Sequence, residues 1–565
     1  MQVLDAPRGD AVDEQAARRP LWMHAAGLLV VLVALLPLVG TSAVFSADEG
    51  AALIQARRVV EDGTWVGSHP LPDADQEVLG YPVHLAEQTA DGWHELTRHP
   101  LYIHLVATTW SIGGFPAAML LSMLATAGAA LASGALAGHL DRRLAVPTLW
   151  AVGLASPLLF DGYLVIAHSA GALGAALAAL LLVGRWHRAH LALGAIACAG
   201  VVLLRSEGLL LGLALSAALL ATGARQRHRG RLLAGWTAGV ATVGAYLFDG
   251  WWTSHLKGPT IGTAGPGIGR FQGGLRGRWE GFERTWLWVG RGGLADGDEL
   301  ILLAVIVAGA AAVALRRGTS GRVVTTLGAT SVALVGLRLL TEPHAVVPGL
   351  LFAFPLLLVG LLLLRRPHLA LGDGRARDLA LVAGLYALAV VATQYSVGGT
   401  TEWGGRYFAL GLPFITPLLV AAVLDAADRL ERADARRWVG SLVVLSLALS
   451  MLGVLGLRRT HQRTDELVDT VAAGIEVAGP DAVVVTDVNP LARWAWPLTD
   501  EVPWTLVGTD DLDVAAVELD RLGVERFVYV GHLADEQQAV LEQRRDVVAE
   551  LTPGFDERWR VVVFE

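Results

Sequence analysis

Charge-free apolar runs recur along this chain so often that no water-soluble core can be its organising principle. The first covers 21–45, longer than the roughly 20 residues that cross a bilayer. Of the 565 residues, 53% are hydrophobic and only 17% charged, so such runs must bury themselves in lipid and in one another. The first run is too long for the apolar stretch of a signal peptide, lacks a small-residue cleavage site and is followed by many more. It reads as a first transmembrane helix. The pattern predicts further spans near 115–138, 144–160, 164–184, 189–204, 207–224, 232–250, 299–315, 323–341, 347–364, 379–397, 407–424 and 438–457, about thirteen in all.

The net charge of -9 hides an uneven distribution. Alternate loops carry Arg18-Arg19, Arg142-Arg143, Arg185 with Arg188, the basic cluster from Arg225 to Arg231, Arg316-Arg317, Arg365-Arg366 and Arg436-Arg437. By the positive-inside rule these loops and the N-terminal residues 1–20 face the cytoplasm. The transmembrane domain then occupies 21–457, with outer loops at 46–98 and 251–298, and 458–565 lies outside the plasma membrane. The stretch 99–140 exceeds one span. Gly113-Gly114 divides it into an interfacial piece, 99–112, bearing His99, His104 and Trp110, and a span after it.

Beyond residue 458 the pattern changes. Residues 481–487 and 526–531 read as short buried strands, while 461–477, 511–522 and 534–551 have helical spacing. The expected fold class is therefore mainly α: a polytopic transmembrane helical bundle with a small extracytoplasmic C-terminal α/β domain. At about a hundred residues that domain can hold its own core. It has no glycine-rich phosphate loop and no metal-ligand spacing, and reads as a lid or acceptor-docking module. Trp494, Trp496 and Trp504 suit either sugar stacking or anchoring at a bilayer surface. The single cysteine, Cys198, lies in an apolar segment, which excludes a disulfide framework.

Candidate chemistry sits where the chain leaves the spans. Asp48 and Glu49 follow the first span directly, and charge at a membrane edge is costly enough to suggest function. They also fit a simple marker of where a helix meets water. Arg205-Ser206-Glu207-Gly208 interrupts an apolar stretch, so a tight turn holds Arg and Glu at membrane level. The guanidinium suits a phosphate, or the two charges satisfy each other. Thr401-Glu402-Trp403-Gly404-Gly405-Arg406-Tyr407 repeats these ingredients, with glycines that let backbone approach a ligand. Arg338, Glu342 and His344 form a third cluster, and Lys257 is a further cation. His168, with Asp161 nearby, fits either a metal ligand or a polar helix end.

In order and topology, Asp48-Glu49, the long outer loop, His99-Pro100-Leu101-Tyr102 and Leu204-Arg205-Ser206-Glu207-Gly208 resemble the GT-C class of integral membrane glycosyltransferases. The likeness is to the bacterial branch of protein mannosyltransferases and lipid A aminoarabinose transferases, best over 20–250. That resemblance implies a sugar moved from a polyprenyl-phosphate donor to an envelope glycan, lipid or protein acceptor at the outer face, with inversion. Asp48 matches the catalytic base, with Glu49 beside it. The chemistry agrees: a hydroxyl acceptor must lose a proton, and a departing lipid phosphate needs positive charge. Arg205 and Arg406 are the expected phosphate ligands, and His99, Glu207, Glu402 and His344 the expected substrate contacts. Relatives carry an Arg-Pro-Asp-like acidic motif where this chain reads Ile166-Ala167-His168-Ser169-Ala170, so no metal ligands are assigned and no obligatory divalent ion is expected. No cofactor is expected beyond the lipid-linked sugar, and no nucleic acid among the partners. A multi-span transporter or lipid flippase, and a catalytically inactive GT-C-like subunit of an envelope complex, are the alternatives. The absence of an internal repeat and the clustering of polar groups at one face favour surface chemistry over transport. Since the proposed base and cations precede the tail, loss of 462–565 is expected to spare donor chemistry and cost acceptor affinity. Arg493 or a tail tryptophan is the alternative contributor.

Overall fold

The computed structural model describes residues 20–95, 99–184, 187–263, 274–287, 349–360, 362–363, 366–393, 404–556 and 558–565. Helix α1 (Leu21–Val39) ends at Gly40, whose φ of 92° suits a residue without a Cβ. It is followed by α2 (Ala47–Glu61), then strands β1 (Glu87–Thr89) and β2 (Gly92–His94). Helix α3 (Pro100–Gly138) is broken at Gly113 and at Gly114, which has φ 63°. The break falls where the sequence divides the interfacial piece from the span.

The bundle continues with α4 (Ala145–Leu154), α5 (Leu158–Asp161), α6 (His168–Leu182), α7 (Arg188–Leu204), α8 (Glu207–Gln226) and α9 (Arg229–Lys257). Strand β3 (Thr260–Thr263), α10 (Gly274–Phe282), α11 (Gly374–Thr393), α12 (Leu412–Ala427) and α13 (Arg432–Ala478) follow. Small residues let these helices approach closely. On α6, Ala172, Ala175, Ala176 and Ala179 are fully buried, and a Cβ on Gly174 would stand 2.7 Å from Val201 of α7.

Among the described residues, 6 helices are long and apolar enough to cross a membrane: Leu21–Val39, Pro100–Gly138, Glu207–Gln226, Gly374–Thr393, Arg406–Ala427 and Arg432–Ala478. The runs at 144–160 and 164–184 form helices of 10 and 15 residues, shorter than their apolar lengths suggest, while 189–204 lies within a helix of 17. The first of them stops before Pro157, whose ring lacks the N–H a continuing helix needs. Spans expected at 299–315 and 323–341 lie outside the described residues.

The C-terminal region is a mixed sheet. Its strands are β4 (Val483–Thr486), β5 (Trp504–Leu506), β6 (Phe527–Gly531), β7 (Val547–Leu551) and β8 (Arg560–Phe564), in the order β5-β4-β6-β8-β7. The β4 pairings to β5 and β6 are parallel, and β8 is antiparallel to both neighbours. Helices α14 (Leu491–Trp494), α15 (Leu512–Arg521) and α16 (Asp535–Glu542) connect them. The helix expected over 534–551 is thus corrected: it stops at Glu542, and 547–551 forms an edge strand. The β-branched pair Val547-Val548 favours an extended backbone, and β8 offers a strand edge for it to pair with.

The sheet buries both faces. Val484, Trp504, Val528 and Val561 pack under Leu467, Val471 and Ile475 of α13. Val483, Val485, Tyr529 and Val562 pack under Leu512, Ala516 and Leu519 of α15, together with Leu79 from the loop between α2 and α3. Gly80 exchanges backbone hydrogen bonds with Leu506 at 2.8 and 3.0 Å. Helix α13 runs without a break from the bundle into this sheet. The other end of the same loop pairs β1 with both β2 and β3, which joins it to the segment after α9. The loop between α2 and α3 is therefore clamped between the tail and the segment after α9.

Candidate active site

Helix α2 begins at Ser46, and its first turn contains both Asp48 and Glu49. Consecutive residues on a helix point about 100° apart, and these two carboxylates meet different surroundings. Glu49 is fully buried. Its Oε2 accepts the N–H groups of Phe45 and Ser46 at 2.8 and 2.9 Å, and its Oε1 accepts that of Val165 at 2.7 Å. It ties the start of α2 to the segment before α6. Asp48 keeps 49% of its side chain accessible and faces basic residues from distant parts of the chain.

Arg406 Nη1 donates to Asp48 Oδ2 at 2.7 Å, and its Nη2 reaches the Tyr407 hydroxyl at 3.3 Å. Gly404 and Gly405 present this arginine with φ values of 75° and 65°. Both glycines are also needed for packing, since a Cβ would stand 2.2 Å from Pro157 or 2.3 Å from the Thr285 carbonyl oxygen. Their close approach is to the protein's own elements. On the opposite edge of Asp48, Arg493 of α14 brings Nη1 to 3.8 Å from Oδ1. Burial acts to raise the Asp48 pKa, but the charges of Arg406, Arg493 and Arg205 outweigh it and hold the carboxyl below its usual range.

Arg205 is engaged differently. Its Nε and Nη2 each reach a Glu207 oxygen at 3.0 Å, a bidentate pair across a tight turn. His99 Nε2 lies 3.0 Å from the Ser206 hydroxyl and its Nδ1 3.2 Å from Asp249 Oδ2. His99 has φ 59°, an uncommon conformation for a residue with a side chain. It thereby links the start of α3 to the 205–207 turn and to α9. His168 is fully buried with Nδ1 3.3 Å from Asp161 Oδ1, and no group of three or more metal-binding side chains occurs among the described residues. Lys257 is paired with Glu87 and bonds Thr260 Oγ1 at 2.7 Å. Glu402, His344 and Arg338 lie outside the described residues.

The structure thus brings Asp48, Arg406 and Arg205 into one electrostatic neighbourhood, with His99 bracing the Arg205 turn. Sequence reasoning did not anticipate Asp249 as the partner of His99, and it named Arg493 only as an alternative contributor, without placing it beside Asp48. A lone arginine in Ala492-Arg493-Trp494-Ala495-Trp496, a small and aromatic string, was the available signal for the latter. Of the tail tryptophans, Trp504 is fully buried and donates its indole N–H to the Leu498 carbonyl at 3.1 Å. It belongs to the core. Trp496 packs edge-on against Trp110, with ring centroids 5.4 Å apart.

No family model and no curated protein matches the sequence. Solved structures do. ArnT from Cupriavidus metallidurans bound to undecaprenyl phosphate superposes with a TM-score of 0.52 at 14% identity, covering 96% of this chain and 97% of that one. The apo state of the same protein gives 0.51 at 14%, covering 96% and 98%. An oligosaccharyltransferase from Archaeoglobus fulgidus, in complex with zinc and sulfate, gives 0.45 at 12%, covering 90% and 68%. The agreement with ArnT covers nearly the whole chain, so this is a multi-pass membrane protein with an ArnT-like fold.

Proposed function

We propose that this protein transfers a sugar from a polyprenyl-phosphate donor to a hydroxyl acceptor at the outer face of the plasma membrane. The reading is carried by one observation: the Asp48 carboxylate is accessible and held by Arg406 at 2.7 Å. A proton acceptor and a phosphate ligand are thereby adjacent at the end of the first span. The ArnT fold supports it, as does the undecaprenyl phosphate bound by that relative.

In the proposed step the acceptor oxygen attacks the anomeric carbon and forms the new C–O bond. The bond from that carbon to the phosphate oxygen breaks, and its electron pair leaves with the polyprenyl phosphate. Asp48 takes the acceptor proton. The phosphate gains one negative charge, which Arg406 offsets directly and Arg205, paired with Glu207, offsets from farther away. An incoming phosphate competes with Asp48 for Arg406. As that ion pair opens, the carboxylate loses a charge partner and becomes a stronger base, so donor binding prepares the base. Glu49 positions Asp48 by fixing the first turn of α2, and His99 and Glu207 hold the Arg205 turn.

Purified protein in nanodiscs, given a labelled polyprenyl-phosphate sugar, is expected to release polyprenyl phosphate. Asp48→Asn keeps the shape of the side chain but cannot take the proton, and turnover should fall about a hundredfold or more. Near-normal turnover in that variant would remove Asp48 from the chemistry. Absence of any donor turnover by the wild type would remove the reading itself.

A further inference from the structure

The C-terminal domain is positioned against α2 with little room for adjustment. A Cβ on Gly50 would lie 1.7 Å from the carbonyl oxygen of Arg493, so the two backbones are in direct contact two residues from Asp48. Further contacts fix the same placement. Arg57 pairs with Asp500 and lies over the Trp496 ring, while Thr505 Oγ1 donates to the Gly80 carbonyl at 3.0 Å. The sheet domain is thereby registered on the element that carries the proposed base.

This docking brings one cation up against Asp48. Only 11% of the Arg493 side chain is accessible, and its Nε has no hydrogen-bond partner among the described residues. At 3.8 Å its contact with Asp48 is electrostatic and too long for a hydrogen bond. Neighbouring charges are otherwise engaged: Arg205 with Glu207, Arg406 with Asp48, and Glu49 with backbone N–H groups. His84 of the loop between α2 and α3 is also buried, with Nδ1 lacking a partner among the described residues. Burial, and then the charge of Arg493, hold its pKa below the usual imidazole range, which keeps the ring neutral. A buried guanidinium with unused donors is costly unless an anion completes it.

Building on the glycosyl-transfer reading, we infer that Arg493 is a second phosphate ligand of the active site beside Arg406, supplied by the C-terminal domain, which binds the carrier phosphate of the donor. The domain is then a catalytic partner of the spans. Its removal takes away a ligand of the departing group as well as an acceptor surface.

The test uses the full chain in nanodiscs and undecaprenyl phosphate as probe, alongside transfer from the lipid-linked donor. Arg493→Ala should weaken probe binding about tenfold or more, the usual scale for a charge-assisted hydrogen bond. Arg493→Lys should recover only part, because it lacks the planar fork. Should the alanine variant fail to fold, Arg493→Gln preserves most of the stem and removes the charge, and the same loss is expected. Loss of a nearby cation must also raise the Asp48 pKa, so the acidic limb of the kcat/KM profile should move to higher pH. That shift reports the proximity of the two charges, and probe binding separates a phosphate ligand from a cation that is merely adjacent. Arg406, Arg205, Glu49 and His84 surround the same group and are unchanged in these variants. Wild-type probe binding in folded Arg493→Ala or Arg493→Gln would overturn the inference wherever the limb lies, while an inactive Asp48→Asn left the transfer reading intact. Full activity of Asp48→Asn would instead overturn that reading.

Discussion

The turns carrying Arg205 and Arg406 look alike in sequence, each with an arginine, a nearby glutamate and a glycine between apolar stretches. They fold to opposite ends. Arg205 closes on Glu207, two residues along, through paired 3.0 Å bonds at the N-terminus of α8. Arg406 crosses to Asp48, separated from it by 358 positions. The first arrangement is satisfied locally and can form whenever the turn forms. The second exists only after α2 and the segment before α12 have packed together. A locally paired arginine acts mainly as scaffold and contributes a distant charge. One that bridges two elements at an accessible carboxylate is the one a phosphate can draw away.

That contrast is sharpest in the alanine variants. Arg406→Ala should reduce kcat/KM for the lipid donor by roughly thirtyfold, within the range of charge-assisted hydrogen bonds, and Lys should restore part of it. The pH profile should change as well. With Arg406 present the Asp48 carboxyl is held below its usual range, so the acidic limb of the wild type lies at correspondingly low pH. Without Arg406, burial weighs more and the limb moves upward. The linkage has the matching sign. The pair contributes to folded-state stability above the unfolded-state pKa of Asp48, and that contribution is lost as pH falls through the lowered folded value. An unmoved limb in Arg406→Ala would mean that another group controls the rate.

Arg205→Ala should have a smaller effect on the donor, on the order of severalfold, because what it removes from Asp48 is a distant charge. Its larger consequence is on Glu207, left without its bidentate partner. Melting temperature should therefore fall more in Arg205→Ala than in the double variant Arg205→Ala/Glu207→Gln relative to the sum of the singles, as expected for residues in contact. Strict additivity in that cycle would show that the pair is not the scaffold described.

Much of the arrangement was legible before the structure, and the limits follow from range. The break at Gly113-Gly114 and the strands at 483–486 and 527–531 rest on local pattern. The Arg205–Glu207 pair, separated by one residue, was also readable as an alternative. What could not be read was which distant element meets Asp48. Leu79 enters the core of the tail and Gly80 pairs with Leu506, yet neither carries a periodic signal beyond its own loop. The expectation that the tail could be removed without touching donor chemistry rested on sequence position. With Arg493 at 3.8 Å from Asp48, that expectation no longer has a structural basis. The strand 547–551 was misread because its charged flanks resemble an exposed helical face, whereas its partner β8 is supplied by the last residues of the chain.

The smallest catalytic effect belongs to the residue closest to the base. Glu49 stands next to Asp48, but both its oxygens already accept backbone N–H groups, from Phe45 and Ser46 on one side and Val165 on the other. Glutamine supplies one oxygen and one NH2. Whichever way the amide turns, the NH2 must face an N–H donor, so one of these contacts becomes donor against donor in a fully buried place. Such a buried mismatch costs about 1–3 kcal/mol. Glu49→Gln should therefore lower the melting temperature measurably, while turnover of the folded fraction stays within roughly threefold of wild type if Glu49 only orients the first turn of α2. The comparison needs both quantities from the same nanodisc sample. A stable Glu49→Gln protein with turnover as low as Asp48→Asn would move the proton-accepting role from Asp48 toward the pair, and the division of labour between the two adjacent carboxylates would fail.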